Sequence, residues 1–339
     1  MRMMKVIHKD RRALLFSAFS LGVFPLPAKA QSPIAKGKPI RIIVPFGAGG
    51  IADLTARLVG QKLSEQLGQP VLVENKPGAG GVVGGEAVSK AEADGSVLLL
   101  MSNASAVSTG LFKQLPFDVQ KDFAPISTLG FFDLAMVTTS VSSATNNSAT
   151  KINSVADLIS YARANPGKLN VGSINIGSTQ NLAAELLKTQ AGIEFQVVPY
   201  NGTPALLTGL RAGDIDVAIE ILGPLMPQID AKVVRPLATM GKVRAIGIGN
   251  VPTAIEAGIA GFQVTSWNML AAPAATPKPV IARLQQEVAK VLASSEVKKR
   301  MAELHVEARA STPEEASEWL AIEIKRWADV IVRAKIPKQ

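Results

Sequence analysis

The groups in this chain best placed to do chemistry are backbone amides. Gly47-Ala48-Gly49-Gly50 follows the apolar run of residues 40–44 and precedes a helical pattern carrying Leu54, Leu58, Val59 and Leu63, with Asp53 as its expected cap. A glycine turn of this kind frees N–H groups at a helix start, where the helix dipole favours negative charge. The turn also fits the dinucleotide pattern G-x-G-x-x-A through Gly47, Gly49 and Ala52, with Glu74 as the acid on the next apolar run. It fits a plain βα connection with no ligand as well. A second turn, Pro77-Gly78-Ala79-Gly80-Gly81, follows the run of residues 70–75. Two convergent loops at one sheet edge suit a small ligand better than a lone dinucleotide fingerprint.

Hydroxyl and amide groups recur at similar places. Ser102 and Asn103 close the apolar run of residues 96–101. Ser173, Ser178 and Thr179 lie between the run of residues 169–172 and the helical stretch of residues 181–190, which Asn181 opens. A carboxylate held between two such helix starts is satisfied without a single arginine. Tyr200 ends the run of residues 195–199, Thr203 is the expected cap of the next helix with Pro204 in its first turn, and Glu220 stands at the exit of the run of residues 215–219.

Composition removes several chemistries. Cysteine is absent, and of two histidines His8 lies in the leader, which leaves His305. Ser/His and Cys/His dyads lack materials, so no catalytic residue, metal ligand or cofactor is assigned. Residues 1–30 read as a cleaved export signal: five Lys/Arg by Arg12, an apolar core too short to span a bilayer, and Ala28-Lys29-Ala30 as the cleavage site. Arg11-Arg12 leaves both the Sec and the twin-arginine route open. Of 36 Lys/Arg and 27 Asp/Glu, this segment holds six and one, so the remainder carries a net charge of about +4 with no basic run interleaved with aromatics. Such a balance suits a small anion rather than nucleic acid.

The alternation of short apolar runs with helical patterns predicts an α/β protein. Beyond the runs already named, residues 132–138 form a strand, residues 140–149 a polar surface loop and residues 151–164 an amphipathic helix. Residues 233–240 carry the chain back. Helices over residues 279–292 and 313–332 close the molecule, the second anchored by Trp319, Ile322 and Trp327.

In order along the chain, Val44-Pro45-Phe46, Gly49-Gly50, Asp53, Val73-Glu74-Asn75-Lys76-Pro77-Gly78-Ala79-Gly80-Gly81 and Ala93-Asp94-Gly95 resemble the Bug family, the periplasmic solute-binding proteins of tripartite tricarboxylate transporters. Leu115-Pro116-Phe117-Asp118, Lys121-Asp122-Phe123-Ala124-Pro125, Ala164-Asn165-Pro166-Gly167-Lys168-Leu169, Val198-Pro199-Tyr200 and Ser266-Trp267 continue the series over nearly the whole mature chain. The resemblance implies a two-lobed Venus-flytrap fold of the periplasmic-binding-protein type, each lobe a central, mostly parallel sheet flanked by helices. Lobe 1 would comprise residues 31–130 and 239–339, and lobe 2 residues 131–238. It further implies a monomer that captures a small carboxylate and hands it to membrane permease subunits, or reports it to a sensor.

Carried over by position, the ligand-binding residues are Phe46, Gly49, Gly50, Asp53, Ser102 and Asn103 from lobe 1, with Ser173, Ser178, Thr179, Asn181, Tyr200 and Glu220 from lobe 2. The chain departs from the family at Asn181, where many members have His, at Asn201 in place of Lys, at Glu220 in place of Asp, and at Asn268-Met269 after the tryptophan. Loss of the Lys favours a mono- or dicarboxylate over a tricarboxylate, and Ile174 and Ile176 make room for an aromatic acid of the phthalate or nicotinate type. The competing expectation is an exported NAD(P)-dependent oxidoreductase using the first glycine turn.

Overall fold

The computed structural model describes residue 34 and residues 37–140 and 152–339. The expected export signal, residues 141–149 of the polar tract and the start of the helix expected from Lys151 lie outside the described residues.

Ile40, Ile42, Ile43 and Val44 are buried on both faces of strand β1 (Ile40–Val44), which pairs in parallel with β2 (Val71–Asn75) and β3 (Val97–Ser102). An apolar run without alternation is what a central parallel strand requires. Helices α1 (Ile51–Leu67), α2 (Val82–Ser89) and α3 (Asn103–Leu111) connect and cover these strands. A second parallel set follows in β5 (Asn170–Ile174), β6 (Gln196–Tyr200) and β7 (Val217–Ile221), served by α4 (Val155–Ala164), α5 (Thr179–Ala191), α6 (Thr203–Ala212) and α7 (Leu222–Asp230).

One strand joins the two sets. β4 (Phe123–Thr139) runs for 17 residues, far beyond the expected 132–138. Its first part, to Asp133, pairs antiparallel with β9 (Thr265–Pro273), and from Leu134 it pairs with β7 and with β8 (Val234–Thr239). The sequence Phe-Ala-Pro-Ile-Ser-Thr lacks a clean period because two register shifts, at Pro125/Ser127 and Thr128/Gly130, break the alternation. The strand order is β2-β1-β3-β9-β4-β7-β5-β6, with β8 and the short β10 (Glu307–Ala308) also on β4. The flanks are therefore parallel and the middle antiparallel.

The chain ends in α8 (Lys278–Ala293), α9 (Ser295–Glu303) and α10 (Pro313–Arg333). α10 starts with a capping box, Thr312 and Glu315 each bonding the other's backbone N–H, and with Pro313 in its first turn. Ala316, Leu320, Glu323, Trp327 and Val330 form its buried stripe at helical spacing. Ile322 falls off that stripe and is 51% exposed, so it is not the anchor expected of it. Trp319 packs edge-on against Phe131.

Glu323 is the polar centre of this core. Its Oε2 accepts from the indole N–H of both Trp267 and Trp327, each at 3.3 Å, and its Oε1 from Arg326 at 3.2 Å. Removing the carboxylate strands two buried indole donors. Glu323→Leu is expected to lower the unfolding free energy by about 2–4 kcal/mol, measured by urea denaturation followed by tryptophan fluorescence.

Candidate functional site

The β1–α1 turn is shaped by a carboxylate within the helix rather than by a cap before it. Gly50 is the N-cap and offers no side chain, so the expected capping role of Asp53 is corrected. Asp53 lies in the first turn, where its Oδ2 accepts from Gly49 N–H at 3.0 Å and from Arg57 Nε at 3.1 Å, while Oδ1 accepts from Asn75 Nδ2 at 3.0 Å. Asn75 Nδ2 also donates to Phe46 O at 3.0 Å, which ties the end of β2 to the turn. Burial pushes the Asp53 carboxyl up, but the donors from Arg57, Gly49 and Asn75 together outweigh it and hold it below the usual carboxylate range. Glu74, the acid required by a dinucleotide pattern, is instead gripped by the Arg41 fork at 2.5 and 2.7 Å.

The matching turn from β5 to α5 is held by small polar side chains. Ser178 is the N-cap: its Oγ accepts from Asn181 N–H and donates to Ile174 O, both at 3.1 Å. Asn181 Oδ1 accepts from Gly177 N–H at 3.1 Å, and its Nδ2 reaches Ser173 Oγ at 3.4 Å. Gly177 needs its positive φ of 82°, and a Cβ there would stand 2.9 Å from Gly80 Cα.

The β5–α5 turn touches the second glycine turn and β9, and the β1–α1 turn approaches the loop from β6 to α6. Gly80 N–H donates to Ile176 O at 2.7 Å, and the hydroxyls of Thr179 and Ser266 pair at 2.9 Å across the gap. The cleft between them encloses about 30 Å³, on the order of two water molecules. Phe46, Phe132, Ile174 and Ile221 form its apolar wall. Five helix starts border it: α1 through Gly50 to Ala52, α3 through its cap Ser102, α5 through Thr179 and Gln180, α6 through Gly202 and Thr203, and α7 through its cap Ile221. α1 and α6 have glycine caps with no side-chain acceptor, so their first N–H groups remain available to a ligand. No Lys, Arg, His, Asp or Glu among the described residues lines the cleft. Among the described residues no cluster of His, Asp and Glu could hold a metal ion, and no helix is long and apolar enough to cross a membrane.

Of the residues expected at the site, Phe46, Gly50, Ser102 and Thr179 line the cleft. Gly49 sits over Pro204 beside it. Asp53, Ser173, Ser178 and Asn181 hold the turns, and Asn103 bonds Thr265 O at 2.9 Å behind the wall. Tyr200 is not among the lining residues: its ring lies against Gly209, leaving no room for a Cβ there. Glu220 lies within β7 rather than at its exit, 0% exposed and behind the lining. Its carboxyl accepts from Gln180 Nε2 at 2.5 Å, Ile221 N–H at 2.7 Å and Thr203 Oγ1 at 2.8 Å. Thr203 thereby leaves the cap of α6 to Gly202 and uses its hydroxyl to meet Glu220.

Gln180, Ser266, Asn268 and Phe132 line the cleft without having been singled out as ligand contacts. Gln180 carried a readable signal, a polar residue in the first turn of a helix already suspected. Phe132 and Ser266 are register partners on β4 and β9, a long-range pairing that local pattern does not encode.

A cleft closed between two α/β half-sheets that share a strand defines a two-lobed solute-binding protein of the periplasmic type. Residues 55–336 match the family model described as tripartite tricarboxylate transporter family receptor, and the chain belongs to that family, the Bug proteins. BugT of Bordetella pertussis is 32% identical over 317 residues, covering 92% of this chain and 95% of its own. The structure of Rpa4515 from R. palustris with adipate superimposes with a TM-score of 0.83 at 31% identity, over 89% of this chain and 99% of that one. MatC from Rhodopseudomonas palustris with bound malate gives a TM-score of 0.80 at 28% identity, over 87% and 99%.

Burial raises the Glu220 carboxyl against the three bonds it accepts. A carboxyl whose folded pKa exceeds its unfolded value of about 4.3 stabilises the fold fully below that pH and loses its contribution as pH rises toward the folded value. Glu220→Gln removes the titration while its Oε1 still accepts from Gln180 and Ile221 N–H and its Nε2 donates to the Thr203 hydroxyl in place of accepting from it. It is expected to abolish a fall in stability with pH that reaches up to about 1.4 kcal/mol per unit in the parent protein, measured by urea midpoints across the acid-to-neutral range.

Proposed function

We propose that this receptor captures a small mono- or dicarboxylate in the interlobe cleft outside the cytoplasmic membrane and delivers it to the permease subunits of a tripartite transporter. The lobes would comprise residues 31–130 with 239–339, and residues 131–238. The observation that carries the reading is the convergence of five helix starts, three of them without side-chain caps, on a cleft lined by no charged side chain among the described residues. Such a site favours an anion through backbone N–H groups and dipoles, and it would repel a cation. The adipate and malate held by the two similar structures are acids of this kind. Phe46, Phe132, Ile174 and Ile221 suit the hydrocarbon part of the acid, aliphatic or aromatic, whereas Ile176 stands outside the wall and contributes its carbonyl to the closed interface.

Capture would proceed by parting of the lobes and re-closure around the acid. Closure depends on glycine at the contact: a Cβ on Gly47 would stand 2.8 Å from Asn201 O on the opposite loop, although the local backbone of Gly47 does not need positive φ. Gly47→Ala is expected to weaken acid binding about tenfold or more, measured by calorimetry, with an unchanged circular dichroism spectrum.

The reading itself is tested by melting refolded protein with adipate, malate, phthalate, nicotinate or citrate. A mono- or dicarboxylate at 100 times its Kd is expected to add about 2.7 kcal/mol of stability and a clear rise in Tm. A flat response to every acid would overturn carboxylate capture.

A further inference from the structure

Asn268 sits on β9 opposite Ser102 of β3 and Gly130 of β4, in the wall of the cleft. It is 1% exposed, and neither its Oδ1 nor its Nδ2 has a hydrogen-bond partner. An amide buried with both ends unpaired is unfavourable unless something entering the cleft meets it. The requirement is two-sided, because Nδ2 only donates and Oδ1 only accepts. A bare carboxylate answers Nδ2 and leaves Oδ1 unpaired. A carboxylate oxygen with a hydroxyl on the adjacent carbon answers both, the oxygen accepting from Nδ2 and the hydroxyl donating to Oδ1.

An ammonium group could donate to Oδ1 in the same place. The cleft offers it no acidic lining residue, and the helix starts around it present their positive ends. A neutral hydroxyl donor avoids that conflict.

We propose that Asn268 makes this receptor selective for 2-hydroxy carboxylates over their deoxy counterparts. The proposal rests on carboxylate capture in the cleft and names the class of acid. Calorimetry on the refolded protein with the pairs malate and succinate, 2-hydroxyglutarate and glutarate, and lactate and propionate tests it. The hydroxy acid of at least one pair is expected to bind about tenfold tighter or more, and Asn268→Leu to bring that pair to equal affinity while the deoxy acid still binds. Asn268→Ala, which adds no bulk, gives the same readout where the leucine variant does not fold. Deoxy acids binding as tightly as their partners in every pair, or a preference that survives both substitutions, would overturn the selectivity and leave carboxylate capture standing. Failure of acids of every type to bind would overturn both.

Discussion

A cleft that offers an anion no counter-charge must rely on dipoles held rigidly in place. Here the dipoles are helix starts, and a helix start faces the cleft only if the strand before it ends at the right level. The parallel strands β1, β3, β5, β6 and β7 supply this arrangement, each delivering its following helix to the same gap. Backbone N–H groups cannot rotate away or titrate, so the site gains pre-organisation at no cost in side-chain entropy.

Rigidity within each turn comes from side chains that never touch the cleft. Asp53 and Asn75 fix the first turn, Ser178 and Asn181 the second, and Glu220 ties Gln180 of α5 to Thr203 of α6. Across the cleft, Gly80 N–H bonds Ile176 O and the hydroxyls of Thr179 and Ser266 pair. Strong bonds inside each lobe and weak ones between them are what allow lobes to part without losing their own shape. The strand β4 is common to both half-sheets, its pairing passing from β9 to β7 between Asp133 and Leu134.

Much of this was legible in the sequence because it is local. The apolar run of β1, the two glycine turns and the Ser178 start of α5 announce themselves by composition, and the ordered series of short motifs pointed to the family. What escaped depends on pairing between distant residues. The length of β4 was hidden by its register shifts, and Ser266 enters the cleft only through its pairing with Phe132. Glu220 read as a strand-end ligand, but β7 extends two residues further and turns it inward. Tyr200 read as a ligand contact, but the absence of a side chain at Gly209 lets the ring settle on α6. In each case the residue type was informative and the direction of the side chain was not.

The most direct measurement of the central claim is amide chemical-shift mapping while refolded protein is titrated with a small dicarboxylate. The account predicts that the largest downfield amide proton shifts fall on residues 50–52, 179–180 and 202–203, with the lysine and arginine side-chain signals unmoved. Large shifts at Lys or Arg side chains, with those helix starts unchanged, would contradict anion capture by backbone dipoles.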